Sequence, residues 1–232
     1  MRIIVAVVMS LCLAASAFGD NIGFDFLVGG WALGSNAYSG YSASGGSTKG
    51  GPMIGVDFRA PGSTAAYEAA FSYRRYNGTV ASNSVMGLEN RVPIYFTSEP
   101  LRIYAAPSLG FWQMKYGLDL PAIYGSGDSD FALSLGGGLG LRIVGSQTGS
   151  FLDLGYFYQG TKVVGPDGFF ASRRIIRGKG NLAITDKTGF TIEAGAVEEG
   201  WYFISRVGND YEYLGTLEAG SPYIMFGPTF SF

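Results

Sequence analysis

Histidine is absent from this chain of 232 residues, and the single cysteine is Cys12. Without these side chains a Ser–His, Cys–His or Asp–His catalytic site cannot be built. Zinc and copper sites lose their usual ligands as well. We therefore predict that the protein is not an enzyme and that it holds neither a metal nor another cofactor.

Charge and long apolar runs are also scarce. Charged residues make up 15% of the chain, with 16 Lys and Arg against 18 Asp and Glu, so no broad basic surface for nucleic acid is expected. After the first nineteen residues no apolar run reaches the roughly 18 residues of a membrane-spanning helix. What the chain has instead is glycine, at 37 residues, and aromatics, at 15%. This composition suits a soluble β-sandwich or a transmembrane β-barrel.

The first nineteen residues have the pattern of a secretory signal peptide. Arg2 supplies the positive start, Ile3 to Leu13 form a short apolar core, and Ala15 to Ala17 form a small-residue cleavage site. We therefore expect residues 1–19 to be removed and residues 20–232 to form one all-β domain. Because Cys12 leaves with the signal peptide, the mature protein should have no disulfide.

Apolar residues recur at every second position over ten segments separated by Ser- and Gly-rich connections. This period of two is the signal of a β-strand with two different faces. The predicted strands lie near residues 22–33, 52–60, 65–76, 87–96, 101–114, 130–143, 150–160, 173–184, 189–197 and 221–232.

The connections alternate between short and long, which predicts five hairpins in series. Tight turns at one end and longer loops at the other are typical of outer-membrane barrels, with the turns in the periplasm. The long connections are predicted at 34–51, 77–86, 115–129, 161–172 and 198–220. If residues 161–207 formed a plug or a cap instead, eight strands would remain.

Charged residues fall on one face of the predicted strands and apolar residues on the other. A charge facing lipid at mid-membrane costs about 2–4 kcal/mol, so a barrel must turn its charges inward. The thirteen residues predicted to line the lumen are Asp25, Asp57, Arg59, Glu68, Arg74, Glu89, Arg91, Arg102, Arg142, Asp153, Arg177, Lys179 and Glu193. A sandwich shows the same alternation, with the charges outside and an apolar core. The many Gly, Ala and Ser residues on the charged face favour a crowded lumen, and therefore the barrel.

The sequence ends in a strand with aromatic residues at alternating positions. This ending resembles the C-terminal signature of bacterial outer-membrane β-barrel proteins, carried here by Tyr223, Phe226, Phe230 and Phe232. The resemblance implies a closed antiparallel barrel in the bacterial outer membrane, surrounded by its lipid. It also implies recognition of the last strand by the barrel-assembly machinery.

The charge-lined lumen has two interpretations, a selective pore lining or a neutralised network that fills the space. Ten strands are nearer to the roughly eight of side-chain-filled barrels than to the 16–18 of aqueous porins, which favours the network. The barrel enzymes we know as families (omptin proteases, phospholipase A and lipid A palmitoyltransferase) use a histidine, which this chain lacks. We therefore expect a monomeric structural or porin-like barrel with slow passage of small solutes or an envelope or surface role.

Two other functions stay open. The first is an adhesin-like surface protein that binds through loop 198–220, where acidic residues surround the possible contact residues Trp201, Tyr202, Phe203, Tyr211 and Tyr213. These aromatics can equally extend the barrel wall above the membrane. The second is an exported soluble sandwich or calyx that binds an apolar ligand.

Overall fold

The computed structural model describes residues 22–31, 36–40, 43–44, 48–78, 81–118, 129–146, 149–163, 168–207 and 210–232. The predicted signal peptide lies outside these residues. Ten strands form the wall: β1 Gly23–Trp31, β2 Gly51–Ala60, β3 Tyr67–Gly78, β4 Ala81–Arg91, β5 Leu101–Leu118, β6 Ser129–Val144, β7 Phe151–Val163, β8 Gly168–Ala183, β9 Thr188–Val207 and β10 Asp210–Ser231.

The ten strands form a closed antiparallel barrel. Each strand pairs with its successor in the chain, and β10 returns to pair with β1 from Gly23↔Ser231 to Trp31↔Tyr223. Just beyond, Ile22 and Phe232 exchange two backbone hydrogen bonds of 2.9 and 3.1 Å. The prediction of a ten-stranded barrel is confirmed, and the eight-stranded alternative is wrong because β8 and β9 belong to the wall.

Short additional strands lengthen the wall at its edges. Asn36–Gly40 pairs with β10 at residues 215–219, Ala43–Ser44 pairs with Asn36–Gly40, and Thr48–Lys49 pairs with the end of β3. At the other end Ile94–Tyr95 continues the pairing of β4 with β5. The strand predicted at 87–96 therefore begins six residues earlier, at Ala81, and is interrupted after Arg91 before it resumes at Ile94–Tyr95.

The strands run further than predicted at the end with the longer connections. Residues 198–220, predicted as a loop, lie almost entirely in β9 and β10, which stay paired from Glu198↔Gly220 to Val207↔Asp210 with one register shift at Phe203/Ile204. The loop prediction is therefore wrong, and the alternative of a lengthened wall holds. The predicted loops 77–86 and 161–172 are also largely strand.

The two faces of the wall divide as a membrane barrel requires. Leu135 and Leu139 are each 65% exposed on the outer surface, whereas Glu68 and Arg142 are each 8% exposed inside. A soluble sandwich would bury the first pair and expose the second. The sandwich and calyx alternatives are therefore wrong.

The exposed apolar side chains form a belt around the barrel. Along β8, starting from Ile184 just after its end, the outward positions back to Ile176 are apolar or glycine, and Arg174 is the first charge. About ten residues at about 3.3 Å each, tilted by about 40°, span about 25 Å, which is the height of such a belt. Arg75 on β3 and Glu198 on β9 are exposed beyond the same edge. The described residues contain no helix long and apolar enough to cross a membrane.

Candidate functional site

The lumen of the described barrel is filled by a network of ion pairs. Seven acids and seven bases take part: Asp25, Asp57, Glu68, Glu89, Asp153, Glu193 and Glu199 with Arg59, Arg74, Arg91, Arg142, Arg173, Arg177 and Lys179. Because alternate residues of every strand face inward, ten strands bring these groups into one narrow space. The equal numbers make the network neutral when all its members are ionised.

Arg142 of β6 organises the middle level. Its guanidinium donates to Glu68, to Asp153 Oδ2 at 2.8 Å and to the hydroxyl of Tyr95 at 2.8 Å. The Tyr104 hydroxyl donates to the other oxygen of Asp153 at 2.8 Å. These bonds join β3, β5, β6 and β7 across the lumen, so they hold opposite walls together.

Arg177 links the middle level to the far wall. It lies 3.3 Å from Glu68 Oε2 and 3.9 Å from Glu193 Oε2. Glu193 in turn accepts a hydrogen bond of 2.8 Å from the Tyr223 hydroxyl. The predicted assembly residue Tyr223 is therefore buried inside, whereas Phe226 and Phe230 face outward and are exposed.

Asp25 organises the level next to the tight turns. It accepts hydrogen bonds from Arg59 at 2.9 Å and from the Thr229 hydroxyl at 2.8 Å, and Lys179 Nζ lies 2.7 Å from its Oδ2. Lys179 also donates to Asp57. One buried ammonium thus serves two carboxylates on neighbouring strands β1 and β2.

Arg173 organises the level nearest the outer end. Its Nε lies 3.0 Å from Glu199 Oε1, which also accepts from Arg74, and its Nη1 lies 3.7 Å from Glu89. The Arg173 guanidinium stacks on the Trp112 ring at 4.2 Å, a cation–π geometry. This level crosses the lumen below the lengthened part of the wall.

Twelve of the thirteen predicted lumen residues take part in the network. The remaining one, Arg102, sits at the turn end, where it donates to Glu99 at 2.6 Å and to the Gly62 carbonyl at 3.1 Å. The sequence prediction missed both Arg173 and Glu199. Arg173 was the first residue of its predicted strand, and Glu199 lay beyond the end of its own. Both lie an even number of residues from an inward side chain of the same strand, Arg177 or Glu193, and this alternation could have identified them.

Small residues make room for the aromatic part of the lumen. A Cβ atom on Gly140 would collide with the Tyr104 ring, and one on Gly138 would collide with the Phe157 ring. The Phe157 ring in turn lies against the Arg91 guanidinium, at 4.1 Å. The glycines on the inward face of β6 carry no side chain, and the rings therefore fill the space beside them.

Small cavities lie between some of the charged side chains. Two cavities of about 10 and 40 Å³ share Asp57, Glu89, Arg91 and Arg177 among their lining residues. A single water needs about 10–15 Å³ of such volume, so these cavities have room for very few waters. Within the described residues no group of three or more carboxylates is placed to hold a metal ion.

The predicted surface residues lie on the lengthened wall. In the register of β9 and β10, Trp201 stands opposite Leu217, Tyr202 opposite Thr216 and Phe203 opposite Gly215. Tyr213 stands opposite Ile204 and Tyr211 opposite Arg206. The backbone thus places all five aromatics on one hairpin beyond the apolar belt.

Comparison with known proteins identifies the architecture. The outer membrane protease OmpT from Escherichia coli is similar over 92% of this chain and 97% of its own, with a TM-score of 0.55 and 9% identity. An outer membrane channel from Pseudomonas putida F1 has 12% identity, with coverage of 93% and 97% and a TM-score of 0.43. The translocator domain of the autotransporter NalP from Neisseria meningitidis has 12% identity, with coverage of 98% and 95% and a TM-score of 0.42. No family model and no curated protein sequence matches the chain.

Proposed function

We propose that this chain, which has the fold of the bacterial outer-membrane β-barrel proteins, is a sealed barrel that acts at the cell surface and not as an open diffusion pore. The supporting observation is the neutral ion-pair network that crosses the lumen at three levels. Cavities of about 10 and 40 Å³ beside that network are too small for a hydrated solute. The apolar belt accounts for its place in the outer membrane.

Single-channel recording on the refolded protein tests this proposal. The unaltered barrel should give no steady current steps. Replacing the neighbouring ion pair Glu89 and Arg91 together by serine (E89S/R91S) removes two bulky side chains without changing the net charge, and should create a small conductance. Conductance of porin size from the unaltered protein would refute the sealed lumen and support the passage of small solutes.

We also propose that the protein has no catalytic activity. The similarity to a protease extends to the fold only, at 9% identity. This chain has no histidine to act as a general base, and its lumenal carboxylates are engaged by arginine and lysine. Incubation of the refolded protein with peptide and lipid substrates should leave both intact.

A second candidate function is contact through the hairpin of residues 198–220. It is favoured by the paired strands that continue beyond Arg174 and Glu198, because such strands extend a paired surface outside the membrane. Replacing residues 201–217 by a tight turn should leave a heat-resistant barrel. The same change should reduce cell-to-cell aggregation and surface attachment of bacteria that express the protein. Unchanged attachment would dismiss this function.

Export and assembly complete the proposal. Residues 1–19 direct export, and the outward aromatics Phe226, Phe230 and Phe232 of the last strand are read by the barrel-assembly machinery. The barrel then functions as a monomer. Removing Phe232 should slow insertion into the outer membrane in cells while leaving refolding in detergent nearly unchanged. Light scattering in detergent tests the monomer.

A further inference from the structure

The pairing of β1 with β10 is interrupted within the apolar belt. Residues 23–25 and 28–31 of β1 pair with β10, whereas residues 26–27 do not. On the β10 side of this interruption Pro228 has no N–H to donate, and Gly227 has no side chain. We call residues 26–27 and 227–228 the seam gap. A sheet opens more easily where its cross-strand pairing is incomplete.

The inner wall behind the seam gap is apolar. Leu27 is buried on the inward face, and the register places Gly55 of β2 beside it. In the next row toward the outer end, Met53 and Met225 stand on either side of Gly29, and both methionines are buried. None of these five positions carries a charge. An apolar chain that passes between β1 and β10 therefore meets an apolar strip of the lumen first.

The cavity of about 40 Å³ joins this apolar strip to two buried arginines. Met53, Gly55 and Met225 line one part of it, and Arg91 and Arg177 line another. These arginines are only 4% and 6% exposed, yet Arg91 Nη1 and Arg177 Nε have no hydrogen-bond partner among the described residues. A buried N–H without an acceptor is costly. The cavity therefore favours a ligand that brings an acceptor to these two nitrogens.

Three acids also line this cavity, and each already has a basic partner. The pairs are Asp57 with Lys179, Glu89 with Arg91, and Glu193 with Arg177. In these pairs Arg91 uses its Nε and Arg177 its Nη1, so the nitrogens without a partner are different ones. An added acceptor would therefore take no cation away from the acids.

We propose that the barrel binds a fatty acid from the membrane, with the carboxylate on Arg91 and Arg177 and the chain leading out through the seam gap. One water needs about 10–15 Å³, so the cavity has room for a group of a few atoms and not for a chain. The chain must therefore lie in the seam, where Leu27 and the adaptable side chain of Met225 move aside for it. Bonds between arginine and a carboxylate are among the stronger hydrogen bonds in proteins. The inference rests on the membrane location and is independent of whether the lumen conducts.

Native mass spectrometry of the refolded protein in a non-ionic detergent tests the carboxylate end with laurate, dodecanol and acetate. Laurate should bind about tenfold more tightly than dodecanol, because hydrogen bonds to charged groups are the stronger ones. Replacing the paired residues Glu89 and Arg91 together (E89Q/R91Q) keeps the net charge, and should reduce this preference to about threefold. Dodecanol binding should stay within about twofold, whereas a variant that failed to fold would lose both ligands alike.

A reversible lock across the seam tests the route of the chain. The only cysteine of the chain, Cys12, lies in the predicted signal peptide, so V28C/F226C places a single pair in residues 20–232. Val28 and Phe226 stand directly opposite each other beside the seam gap, where a disulfide can form. Oxidation should lower laurate binding about tenfold, and reduction should restore it.

The matched control is V28C/I54C, which locks β1 to β2 and leaves the seam gap free. Its oxidation should change laurate binding by less than about twofold. Equal binding of laurate and dodecanol by the unaltered protein, or equal binding by the oxidised and reduced forms of V28C/F226C, would overturn the proposal. Competition by acetate would indicate a site for a small soluble anion and would overturn it too.

Discussion

Arg142 shows how single residues stabilise the barrel. It is buried and satisfies Glu68, Asp153 and Tyr95 together. Removing a shared cation from two buried carboxylates destabilises the fold by far more than the intact cluster stabilises it. The importance of such a residue therefore lies in the carboxylates that its loss would leave without their closest counter-charge.

Replacing Arg142 by methionine should lower the free energy of unfolding by about 3–5 kcal/mol, because Glu68 and Asp153 lose the nearer of the two arginines that they share and keep only Arg177, at 3.3 and 4.0 Å. Arg102→Met is the control, since the partner carboxylate of Arg102 is 56% exposed, and it should cost less than about 1 kcal/mol. Urea titration of both variants in detergent micelles measures the difference. Equal losses would mean that the network adds no more than a surface pair.

The sequence predicted which side chains face the lumen but not their pairing. Alternation assigns a face to each residue, so Lys179 and Asp57 were both placed inside. Their contact depends on strand tilt and on the order of strands around the cylinder, which no local pattern records. Tyr104 was missed because a tyrosine on either face fits a barrel, and only its bond to Asp153 distinguishes the two positions.

At the scale of the element, β6 shows why one strand carries so much glycine. Rings from neighbouring strands pack against Gly138 and Gly140 on its inward face, whereas its outward positions carry exposed leucines. Strand propensity alone disfavours glycine. The strand is therefore held by the closed sheet on either side and by the rings that cover it.

Gly140→Ala should destabilise the barrel by about 1–3 kcal/mol, because the added methyl group displaces the Tyr104 ring and weakens its bond to Asp153. Gly160→Ala on β7 is the control. A Cβ there meets nothing within 4 Å, and the expected change is within about 0.5 kcal/mol. Thermal unfolding of both variants compares them, and similar midpoints would show that the ring moves aside freely.

Leu139→Arg should lower stability in lipid by about 2–4 kcal/mol, because the outward face of β6 lies in the apolar belt. Tyr158→Arg, which stands opposite Arg174 at the belt edge, should cost about 0–1 kcal/mol. Chemical unfolding from lipid vesicles measures both values. A larger cost at Tyr158 would mean that the belt is centred nearer the outer end.

Strand existence was predictable and strand length was not. Period two identified all ten strands, but β9 and β10 run on through Glu198, Trp201 and Glu218, where acidic and aromatic residues occur together. Outside the membrane both faces of a wall meet water, so the alternation that marks a strand fades. Composition there looks like that of a loop, although the backbone pairing continues to Asp210.

At the scale of the whole molecule, the barrel is a neutral polar column inside an apolar sleeve. The charges of the column compensate one another across the lumen and lie out of bulk water. The sleeve is continuous because β1 and β10 meet. Such an interior is screened little by salt, unlike charges on an open surface.

The unfolding free energy of the whole barrel should therefore change by less than about 1 kcal/mol between low salt and about 1 M sodium chloride, where the Debye length is about 3 Å. Unfolding by urea at each salt concentration measures this free energy, since guanidinium chloride would itself add salt. A loss of several kcal/mol would show that ions enter the lumen, and would also argue against a sealed barrel.

The wide sequence separation of the ion pairs has a consequence for biogenesis. Asp25 meets Lys179, and Arg74 meets Glu199, partners that are more than a hundred residues apart. A half-formed, curled sheet would expose these charges to hydrocarbon, where they have no compensation. Closure of the barrel and insertion into the bilayer should therefore take place together. The slowest step of assembly should be the docking of the last strand against the first.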